Sequence, residues 1–301
     1  MSTLHTPVLK AEVLSYLDPQ PGKHYVDATA DGGGHTIAIL EAIRPSGKIL
    51  SLEWDEELFR ELRERLQREC PDSSRISVLQ RTSYTDLAKT VRSLGFGPVD
   101  GVLFDLGASS FHFEGSRRGF SFRNAEPLDM RYSRDTSETA SDILRTRTER
   151  ELETMFRTFG DERFSRRIAR AVVAERKRRP IRTNADLVEA IRRATPTPYH
   201  QSRIHFATRT FQALRIATNR EFENIPRGLE AACAVLAPHG RIVTIAFHSG
   251  EDAIVKHFFK TPNIRMKFSP LTSKPVRATP TEVRQNPRSR SAILRAFERT
   301  S

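Results

Sequence analysis

Four short apolar segments alternate with amphipathic ones over the first third of the chain, and this alternation constrains the fold more than any other feature. The apolar segments are rich in β-branched residues and are predicted to be strands at residues 24–30, 47–55, 75–80 and 99–107. Helices are predicted between them at residues 34–43, 55–70 and 84–94. Strands that alternate with helices pair in parallel through right-handed crossovers. The sequence therefore predicts an open, doubly wound α/β sheet.

The alternation stops near residue 110, where helical patterns take over. Helices are predicted at residues 137–145, 148–158, 161–178 and 184–194. The α/β pattern then returns with a helix at 207–236, a strand at 240–247, a helix at 251–259 and a last strand at 291–298, and residues 262–290 are predicted to be a long loop. We therefore predict a discontinuous α/β domain, residues 1–126 and 207–301, interrupted by an all-helical insert at 127–206.

A glycine loop, "DATADGGGHT" at residues 27–36, follows the first predicted strand. It lacks the Gly-Lys-Ser/Thr of a P-loop and the Gly-x-Gly-x-x-Gly of a dinucleotide site. Asp27 and Asp31 flank it, and no Lys or Arg lies between residues 24 and 43, so the loop suits a cation better than a pyrophosphate. S-adenosylmethionine carries a sulfonium and an ammonium, and Glu53 at the end of the second strand can accept hydrogen bonds from its ribose. A glycine turn with a capping Asp is the structural alternative.

The positive charge of the chain is unevenly distributed. The net charge is +12, but residues 1–110 hold 12 Lys/Arg against 16 Asp/Glu. Residues 163–182 hold nine Lys/Arg and one acid, Glu175, and residues 260–301 hold ten against two. Such fields attract polyanions, and counterion release supplies much of the affinity. The distribution favours a nucleic-acid partner, with a solvated surface as the alternative.

Cysteine and histidine positions indicate neither a disulfide framework nor a metal site. The two cysteines, Cys70 and Cys233, are predicted to be reduced and packed. His5, His205 and His248 show no ligand spacing, so no metal is expected. The first residues lack the apolar core of a signal peptide, and no run reaches the length of a membrane span, which predicts a cytoplasmic protein with no membrane partner.

Nine motifs in order carry a resemblance to a known family. They are "HTPVL" (5–9), "DATADGGGH" (27–35), "DLGASS" (105–110), "RGFSF" (118–122), "PLDMR" (127–131), "ERFSRRIARAVV" (162–173), "ATRTFQALRIATNRE" (207–221), "GRIVTIAFHSGEDAIVK" (240–256) and "NPRSRSAILR" (286–295). Together they resemble the RsmH family, also called MraW, of 16S rRNA cytosine-N4 methyltransferases. The resemblance covers nearly the whole chain.

The resemblance implies a class I, Rossmann-like, S-adenosylmethionine-dependent methyltransferase whose helical insert helps to recognise RNA. It implies methylation of the N4 amino group of a cytidine in the decoding region of small-subunit (16S) rRNA. Some members dimerise, so a homodimer stays open. The cofactor contacts of the family fall on Gly33, Gly34, His35, Glu53, Tyr84, Asp105 and His112.

The chain departs from the family pattern at several of these positions. Asp31 stands where Gly is usual, Glu53 where Asp is, Tyr84 where Phe is, Phe111-His112 where Pro-Gln is, and "HSGEDA" (248–253) where "HSLEDR" is. These departures bear on cofactor affinity and on the target nucleotide. The alternative function is therefore a divergent, catalytically weak paralogue that binds rRNA as an assembly factor. Two further alternatives fit the sequence less well. A DNA N4 methyltransferase would carry Pro-Pro after the fourth strand, and an NAD oxidoreductase would carry the Gly-x-Gly-x-x-Gly spacing.

Asp105 is the predicted catalytic residue. Methyl transfer from a sulfonium is a direct displacement that depends on alignment. Cytosine N4 is a poor nucleophile, and an acceptor for one of its protons would localise the lone pair. We expect Asp105 to position the amine or the cofactor, with backbone carbonyls of residues 106–109 assisting. Methylation at C5 would instead need a cysteine thiolate, and neither cysteine is predicted to lie near this strand end.

The predicted substrate contacts lie in and near the insert. A flipped base needs an aromatic partner, and the candidates are Phe111, Phe113, Phe120 and Phe122, with packing in the insert core as the alternative. Asp129 and Arg131 are expected at the same mouth, with an ion pair between them as the alternative. On the helix at 161–178, an apolar stripe of Phe164, Ile168, Ala171 and Val172 is predicted to pack inward, and the predicted phosphate contacts are Arg166, Arg167 and Arg170.

Overall fold

The computed structural model describes residues 7–122 and 125–300, so His5 of the first motif lies outside the described residues. The chain divides into two compact units: Met1–Gly107 together with Phe222–Ser301, and Ala108–Glu221. The second unit is wider than the insert predicted at 127–206. The reason is packing, because Phe120 on one side and Phe211 and Leu214 on the other are buried in the core of the helical unit.

The first unit contains a seven-stranded sheet with the order β3-β2-β1-β4-β5-β7-β6. The strands are β1 (His24–Asp27), β2 (Lys48–Glu53), β3 (Ser77–Arg81), β4 (Val99–Asp105), β5 (Leu236–Ala246), β6 (Phe268–Pro270) and β7 (Ile293–Arg299). Strands β1 to β5 pair in parallel, whereas β7 runs antiparallel to β5 and β6. The predicted doubly wound, mostly parallel sheet is confirmed. Its order reverses at β1, which pairs with both β2 and β4, and ligands bind at such switch points.

Helices of the first unit cover both faces of this sheet, and the helices between residues 108 and 221 belong to the second unit. The described residues form α1 (Lys10–Leu17), α2 (Gly34–Ala42), α3 (Glu56–Glu69), α4 (Leu87–Ser93), α5 (Ser110–Glu114), α6 (Ala140–Thr146), α7 (Glu149–Gly160), α8 (Ser165–Arg178), α9 (Asn184–Ala194), α10 (Thr197–His200), α11 (Thr208–Asn219), α12 (Glu221–Cys233), α13 (Ser249–Phe258), α14 (Pro262–Arg265) and α15 (Pro280–Gln285). Strand β4 shows the two-sided burial: Val102 and Phe104 join one apolar cluster, and Leu103 joins the other. None of the helices in the described ranges combines the length and apolarity needed to cross a membrane.

The sequence prediction differs from the structure mainly at helix breaks and short elements. The helix predicted at 207–236 is two helices, because Arg220 adopts a left-handed φ of 50° and ends α11. The helical spacing of apolar residues continues on both sides of Arg220, so this pattern does not indicate the break between α11 and α12. The loop predicted at 262–290 contains α14, β6 and α15, and the N-terminal helix α1 was not predicted. These elements are too short to give a clear period.

The second unit is helical, as its sequence predicts. Capping boxes at Thr139, Thr148 and Thr183 begin α6, α7 and α9, and each threonine accepts from the N3 backbone amide of its helix. Helix α8 begins at Ser165, four residues later than predicted. Ile168 and Val172 are buried on its inner face as predicted, and Ala169, rather than Ala171, is the buried alanine.

Candidate functional site

Three carboxylates end three neighbouring strands of the first unit. Asp27 is the last residue of β1, Glu53 of β2 and Asp105 of β4. Because these strands are parallel, their carboxyl ends meet at one edge of the sheet. All three side chains are buried. The edge at the switch point is therefore acidic.

The glycine loop is held against this edge by backbone hydrogen bonds. Ala28 N–H donates to the Leu103 carbonyl of β4 (2.9 Å), and Ala30 N–H donates to the Leu52 carbonyl of β2 (2.9 Å). The Asp105 N–H donates to Thr29 Oγ1 (2.6 Å). These bonds fix the path of the loop between the ends of β2 and β4.

Gly33 and Gly34 occupy positions where the fold admits no side chain. Gly33 has a left-handed φ of 81°, and a Cβ there would collide with the Leu62 side chain. A Cβ on Gly34 would lie 2.9 Å from Pro7 Cδ. Helix α2 begins at Gly34, directly after the left-handed residue. The close packing explains why glycines are needed at both positions.

Arg65 supports the loop from α3 and was not found by sequence reasoning. Its Nη1 donates to the Gly32 carbonyl at 2.5 Å, while its Nε lies 3.1 Å from Glu69. Arg65 and Gly32 are 33 residues apart, and the sequence predicts α3 only as a charged helix. No sequence pattern therefore indicates this hydrogen bond. The Arg65 guanidinium binds a carbonyl of the loop and Glu69, and it forms no ion pair with the carboxyl groups at the strand ends.

Glu53 is positioned by two backbone amides. Its Oε2 accepts from Asp31 N–H (2.9 Å), and its Oε1 accepts from Asp55 N–H (2.7 Å). Burial raises the pKa of Glu53 to about 8, and the nearby charge of Asp55 adds to the rise. Asp55 in turn caps α3 by accepting from the N–H groups of Glu57 and Leu58. The Glu53 carboxylate is therefore fixed at the end of β2.

Asp27 lies beneath the loop in a polar pocket. Thr36 Oγ1 donates to Asp27 Oδ2 (2.7 Å), and Thr29 N–H donates to Asp27 Oδ1 (3.2 Å). Burial raises the pKa of Asp27 to about 6 despite these hydrogen bonds. Asp27 thus connects the loop to α2 and adds a second buried carboxyl group near Asp105.

Asp105 has a carboxylate oxygen with no donor. Its Oδ2 lies 3.7 Å from His35 Nε2, whereas Oδ1 is buried and receives no hydrogen bond from the described residues. Burial, together with the charges of Asp27 and Glu251, holds the pKa of Asp105 well above its usual range. A buried acceptor without a donor is costly unless a ligand supplies one. Asp105 Oδ1 is therefore available to bind a donor on a ligand.

Glu251, in the first turn of α13 after β5, lies near Asp105. Its Oε2 accepts from Phe247 N–H (2.7 Å), and its Oε1 lies 2.9 Å from His248 Nε2. A Cβ on Gly107, which has a left-handed φ of 97°, would lie 3.4 Å from Glu251 Oε1. Sequence analysis noted Glu251 only as part of a motif. Glu251 therefore holds the carboxyl end of β5 next to the carboxyl end of β4.

The charge of this edge suits a cationic ligand. Within the part of the chain that the structure describes, no Lys or Arg forms an ion pair with Asp27, Glu53 or Asp105. Raised pKa values show that these carboxyl groups resist ionisation without a partner. A sulfonium or ammonium would stabilise their ionised forms, whereas a pyrophosphate would be repelled. The residues present fit S-adenosylmethionine.

Two other predicted cofactor residues lie in different surroundings. Tyr84 follows β3, packs edge-on against Phe104 (5.8 Å between centroids), and fills the space left open by Gly228. It lies in the first unit beside β4. His112 belongs to the second unit, where it is buried with its ring 5.0 Å from Phe120 and 4.7 Å from Tyr132. A cofactor contact at His112 stays a prediction.

Two of the predicted aromatic stacking partners, Phe120 and Phe122, are already packed against other rings of the helical unit. Phe120 is 4% exposed and stacks on Tyr132 with an interplanar angle of 4°. Phe122 stacks on His205 with ring centroids 4.1 Å apart. The core interpretation is confirmed for Phe120. Phe122 is half-buried, so a role in base stacking there stays a prediction.

Asp129 and Arg131 bind each other. Arg131 Nε lies 2.7 Å from Asp129 Oδ1, and Arg131 Nη2 lies 2.9 Å from Asp129 Oδ2. Arg131 Nη1 also donates to the Thr136 carbonyl (2.6 Å). The ion-pair alternative is therefore confirmed, and the pair stabilises the segment before α6. A substrate contact at either residue stays a prediction.

The arginines of α8 lie on its exposed face. Arg166, Arg167 and Arg170 are exposed, opposite the buried Ile168 and Val172. Arg170 Nε lies 3.7 Å from Glu149 Oε1, a partly solvated contact that holds the side chain weakly. The separation of faces leaves these guanidinium groups accessible to a polyanion.

Replacing Asp31 with glycine is expected to raise the Tm by about 1–2 °C. Asp31 has a left-handed φ of 46°, and relieving this conformation contributes about 1 kcal/mol to the free energy of unfolding. Burial and the charges of Glu53 and Asp105 also raise the pKa of Asp31, which shows an electrostatic cost. Asp31→Asn keeps the backbone cost and removes only the charge, so it should give a smaller increase. A lower Tm for Asp31→Gly would contradict this account.

Comparison with known proteins identifies the family to which this chain belongs. The model of the MraW methylase family matches residues 2–300. Ribosomal RNA small subunit methyltransferase H of Desulfotalea psychrophila is 42% identical over 98% of this chain and 98% of its own length. The protein of the same name from Thermomicrobium roseum is 43% identical over 99% of this chain and 94% of its own. With matches over nearly its whole length, the chain belongs to the MraW methylase family of class I methyltransferases, which use S-adenosylmethionine as the methyl donor.

Proposed function

We propose that this protein methylates the N4 amino group of a cytidine in the decoding region of small-subunit rRNA. The curated relatives carry the name of a small-subunit rRNA methyltransferase, which supports the RNA substrate. One observation carries the choice of an exocyclic amine: the buried Asp105 Oδ1 has no donor among the described residues. An amino group is a donor that this oxygen can accept from.

The reaction depends on alignment more than on chemical activation. When bound, S-adenosylmethionine supplies an electrophilic methyl group on a sulfonium. Asp105 Oδ1 accepts a hydrogen bond from the N4 amine, which localises the lone pair and aims it. Glu53, held by the amides of Asp31 and Asp55, accepts from the ribose hydroxyls, and the backbone of Gly33 and Gly34 forms the floor of the site. As the N4–methyl bond forms, the bond between the methyl group and the sulfonium sulfur breaks and leaves a neutral thioether, and the proton from N4 passes to Asp105 or to solvent.

The cysteines favour N4 over C5 as the methylated atom. Cys70 follows α3 and precedes β3, and Cys233 ends α12 before β5, so both lie toward the amino ends of the strands. Burial raises the pKa of Cys233 to about 12 and raises the pKa of Cys70. A thiol at that edge, held neutral, does not attack a base bound at the opposite edge.

The helical unit is proposed to recognise the RNA. The exposed arginines Arg166, Arg167 and Arg170 would contact phosphates, which set position rather than sequence. The proposal places the protein in the cytoplasm, where small subunits are assembled, and requires no metal. A homodimer stays a prediction.

The direct test is methylation of small subunits that lack the modification. Purified protein, labelled S-adenosylmethionine and such particles are incubated, and the rRNA is digested to nucleosides. The proposal predicts N4-methylcytidine in the decoding region. Label at C5 of cytidine, or in another nucleoside, would contradict it. Cofactor binding without methylation of particles or free 16S rRNA would favour the assembly-factor alternative.

Cofactor affinity is expected to rise with pH between about 6 and 8. Burial raises the pKa of Asp27 to about 6 and the pKa of Glu53 to about 8, so the folded protein keeps protons that the unfolded chain has already released. The free energy of unfolding of the unliganded protein therefore falls as pH rises through this window. A bound cation favours the ionised carboxylates and so releases these protons.

Calorimetric titration in two buffers with different ionisation enthalpies measures that release. We expect Glu53 to release roughly one proton for each S-adenosylmethionine bound at pH 7, because a pKa of about 8 leaves it mostly protonated in the unliganded protein. The Glu53→Gln variant removes one titrating group and should release fewer protons. Proton uptake, or an affinity that does not change with pH, would contradict the acidic-edge account.

A further inference from the structure

Residues 271–292, called here the C-terminal basic segment, carry five cations and a single acid. The cations are Lys274, Arg277, Arg284, Arg288 and Arg290, and the acid is Glu282. All five cations are exposed. The segment contains α15 and belongs to the first unit, outside the helical insert. Its charge has no part in the reaction described above.

Acids among the described residues leave most of this charge without an ion pair. Among the described residues, no acid forms an ion pair with Lys274, Arg277 or Arg290, and Arg284 makes only a hydrogen bond to Thr281 Oγ1 (3.1 Å). The one local acid is engaged elsewhere, since Glu282 Oε1 accepts from Leu9 N–H at 2.7 Å. The segment therefore presents several solvated cations close together along the chain.

The sheet register places the segment at the edge that carries the carboxylates. Asp105 pairs with Ile245 of β5, and Ile245 pairs with Leu294 of β7. Leu294 then exchanges two backbone hydrogen bonds with Val276, at 3.0 and 2.8 Å. Val276 is thus three strand spacings, roughly 14 Å, from Asp105 in the same row. Arg277 is the next residue along the chain.

A second connection ties the segment to the glycine loop. The hydrogen bond from Leu9 to Glu282 joins α15 to the residue before α1. Two residues earlier, Pro7 packs against Gly34, where a Cβ would come within 2.9 Å of Pro7 Cδ. The basic segment is therefore anchored on the site edge from two directions.

We propose that the C-terminal basic segment binds phosphates of the RNA strand next to the target nucleotide. This contact surface lies on the methyltransferase unit itself and is additional to the arginines of the helical unit. The charge and the four arginines fit phosphate, which a guanidinium can bind in a bidentate manner. Val276, which precedes Arg277, is roughly 14 Å from Asp105, a span that suits phosphates a few nucleotides from the base at that carboxylate. This inference rests on the proposed RNA substrate.

The test compares two triple variants that remove the same charge. Lys274→Gln/Arg277→Gln/Arg284→Gln neutralises the segment. The matched control, Lys260→Gln/Arg265→Gln/Lys267→Gln, neutralises three exposed cations near β6. Phe268 of β6 pairs with Arg299, the last residue of β7, so these cations lie toward the end of the sheet opposite the carboxylates. The probe is a 16S rRNA fragment that contains the decoding region. Its Kd is measured between 50 and 200 mM KCl, a range in which phosphate contacts give a strong salt dependence.

The segment variant is expected to bind the fragment about tenfold more weakly or worse, with a salt slope smaller by about 2, since each lost contact to single-stranded RNA contributes about 0.7. The control variant should match the wild type in its Kd for the fragment and in its salt slope. The segment variant and the control variant should keep wild-type affinity for S-adenosylmethionine. An unchanged Kd and slope for the segment variant would overturn the inference while wild-type methylation upheld the proposed function. An equal loss in the control, or a loss of cofactor affinity in the segment variant, would also overturn it. A wild type that neither binds nor methylates the RNA would overturn both.

Discussion

Asp105→Asn is expected to lower turnover by roughly 10²–10³-fold, the range lost when a positioned acceptor is removed. The substitution keeps the shape of the side chain and removes the negative charge that polarises the amine. Oδ1 has no donor within the described residues, so no internal hydrogen bond is broken there. Initial rates on small-subunit particles at saturating S-adenosylmethionine measure the effect.

A stability measurement separates this role from a structural one. Because burial and nearby acids raise the pKa of Asp105, its charge destabilises the unliganded fold, and the Asn variant should have an equal or higher Tm. A fall in turnover with little change in cofactor Kd indicates that Asp105 acts on the amine. A large rise in Kd instead indicates that it acts on the cofactor. Unchanged turnover would refute both roles.

Gly33→Ala is expected to weaken S-adenosylmethionine binding by tenfold or more and to destabilise the protein by about 1–3 kcal/mol. The φ of 81° disfavours any side chain, and the new Cβ collides with Leu62 of α3. Relieving that collision requires the buried Leu62 side chain to repack or the loop to shift. Thermal unfolding and calorimetric titration measure the two effects.

Two further variants test the cause. Gly33→Ala/Leu62→Ala removes the collision and keeps the unfavourable φ, so it should recover part of the cofactor affinity although the cavity lowers the Tm further. Gly97→Ala, at a position with open space around the new Cβ, should match the wild type. Full cofactor affinity in Gly33→Ala would show that the loop tolerates a side chain and would contradict the proposed site geometry.

Local sequence patterns were enough to predict the acidic edge. The parallel pattern places the ends of β1, β2 and β4 together, so Asp27, Glu53 and Asp105 could be assigned to one edge without knowledge of tertiary contacts. The absence of basic residues around the glycine loop indicated that the ligand carries positive charge. Both inferences use neighbours in sequence and a topology rule.

Features that depend on distant contacts could not be predicted. The bond from Arg65 to Gly32 and the bond from Leu9 to Glu282 join segments whose separation carries no sequence signal. The width of the helical unit likewise follows from the burial of Phe120 with residues far along the chain. Such contacts are decided by packing, which periodicity does not encode.

Two departures from the family pattern have a structural counterpart. Asp31 adopts a left-handed φ, a conformation that the usual glycine reaches without strain. Gly250 replaces the usual leucine, and a Cβ there would lie 2.5 Å from Phe222 Cζ. The Phe222 ring therefore takes the space of the larger side chain. Neither departure removes a carboxylate from the edge of the sheet.

The central claim is that the acidic edge of the sheet binds S-adenosylmethionine despite Asp31. Calorimetric titration of the purified protein with S-adenosylmethionine, with NAD as the control ligand, tests it most directly. The account predicts micromolar binding of S-adenosylmethionine and none of NAD, whose pyrophosphate the carboxylates repel. No binding of S-adenosylmethionine, or equal binding of NAD, would contradict it.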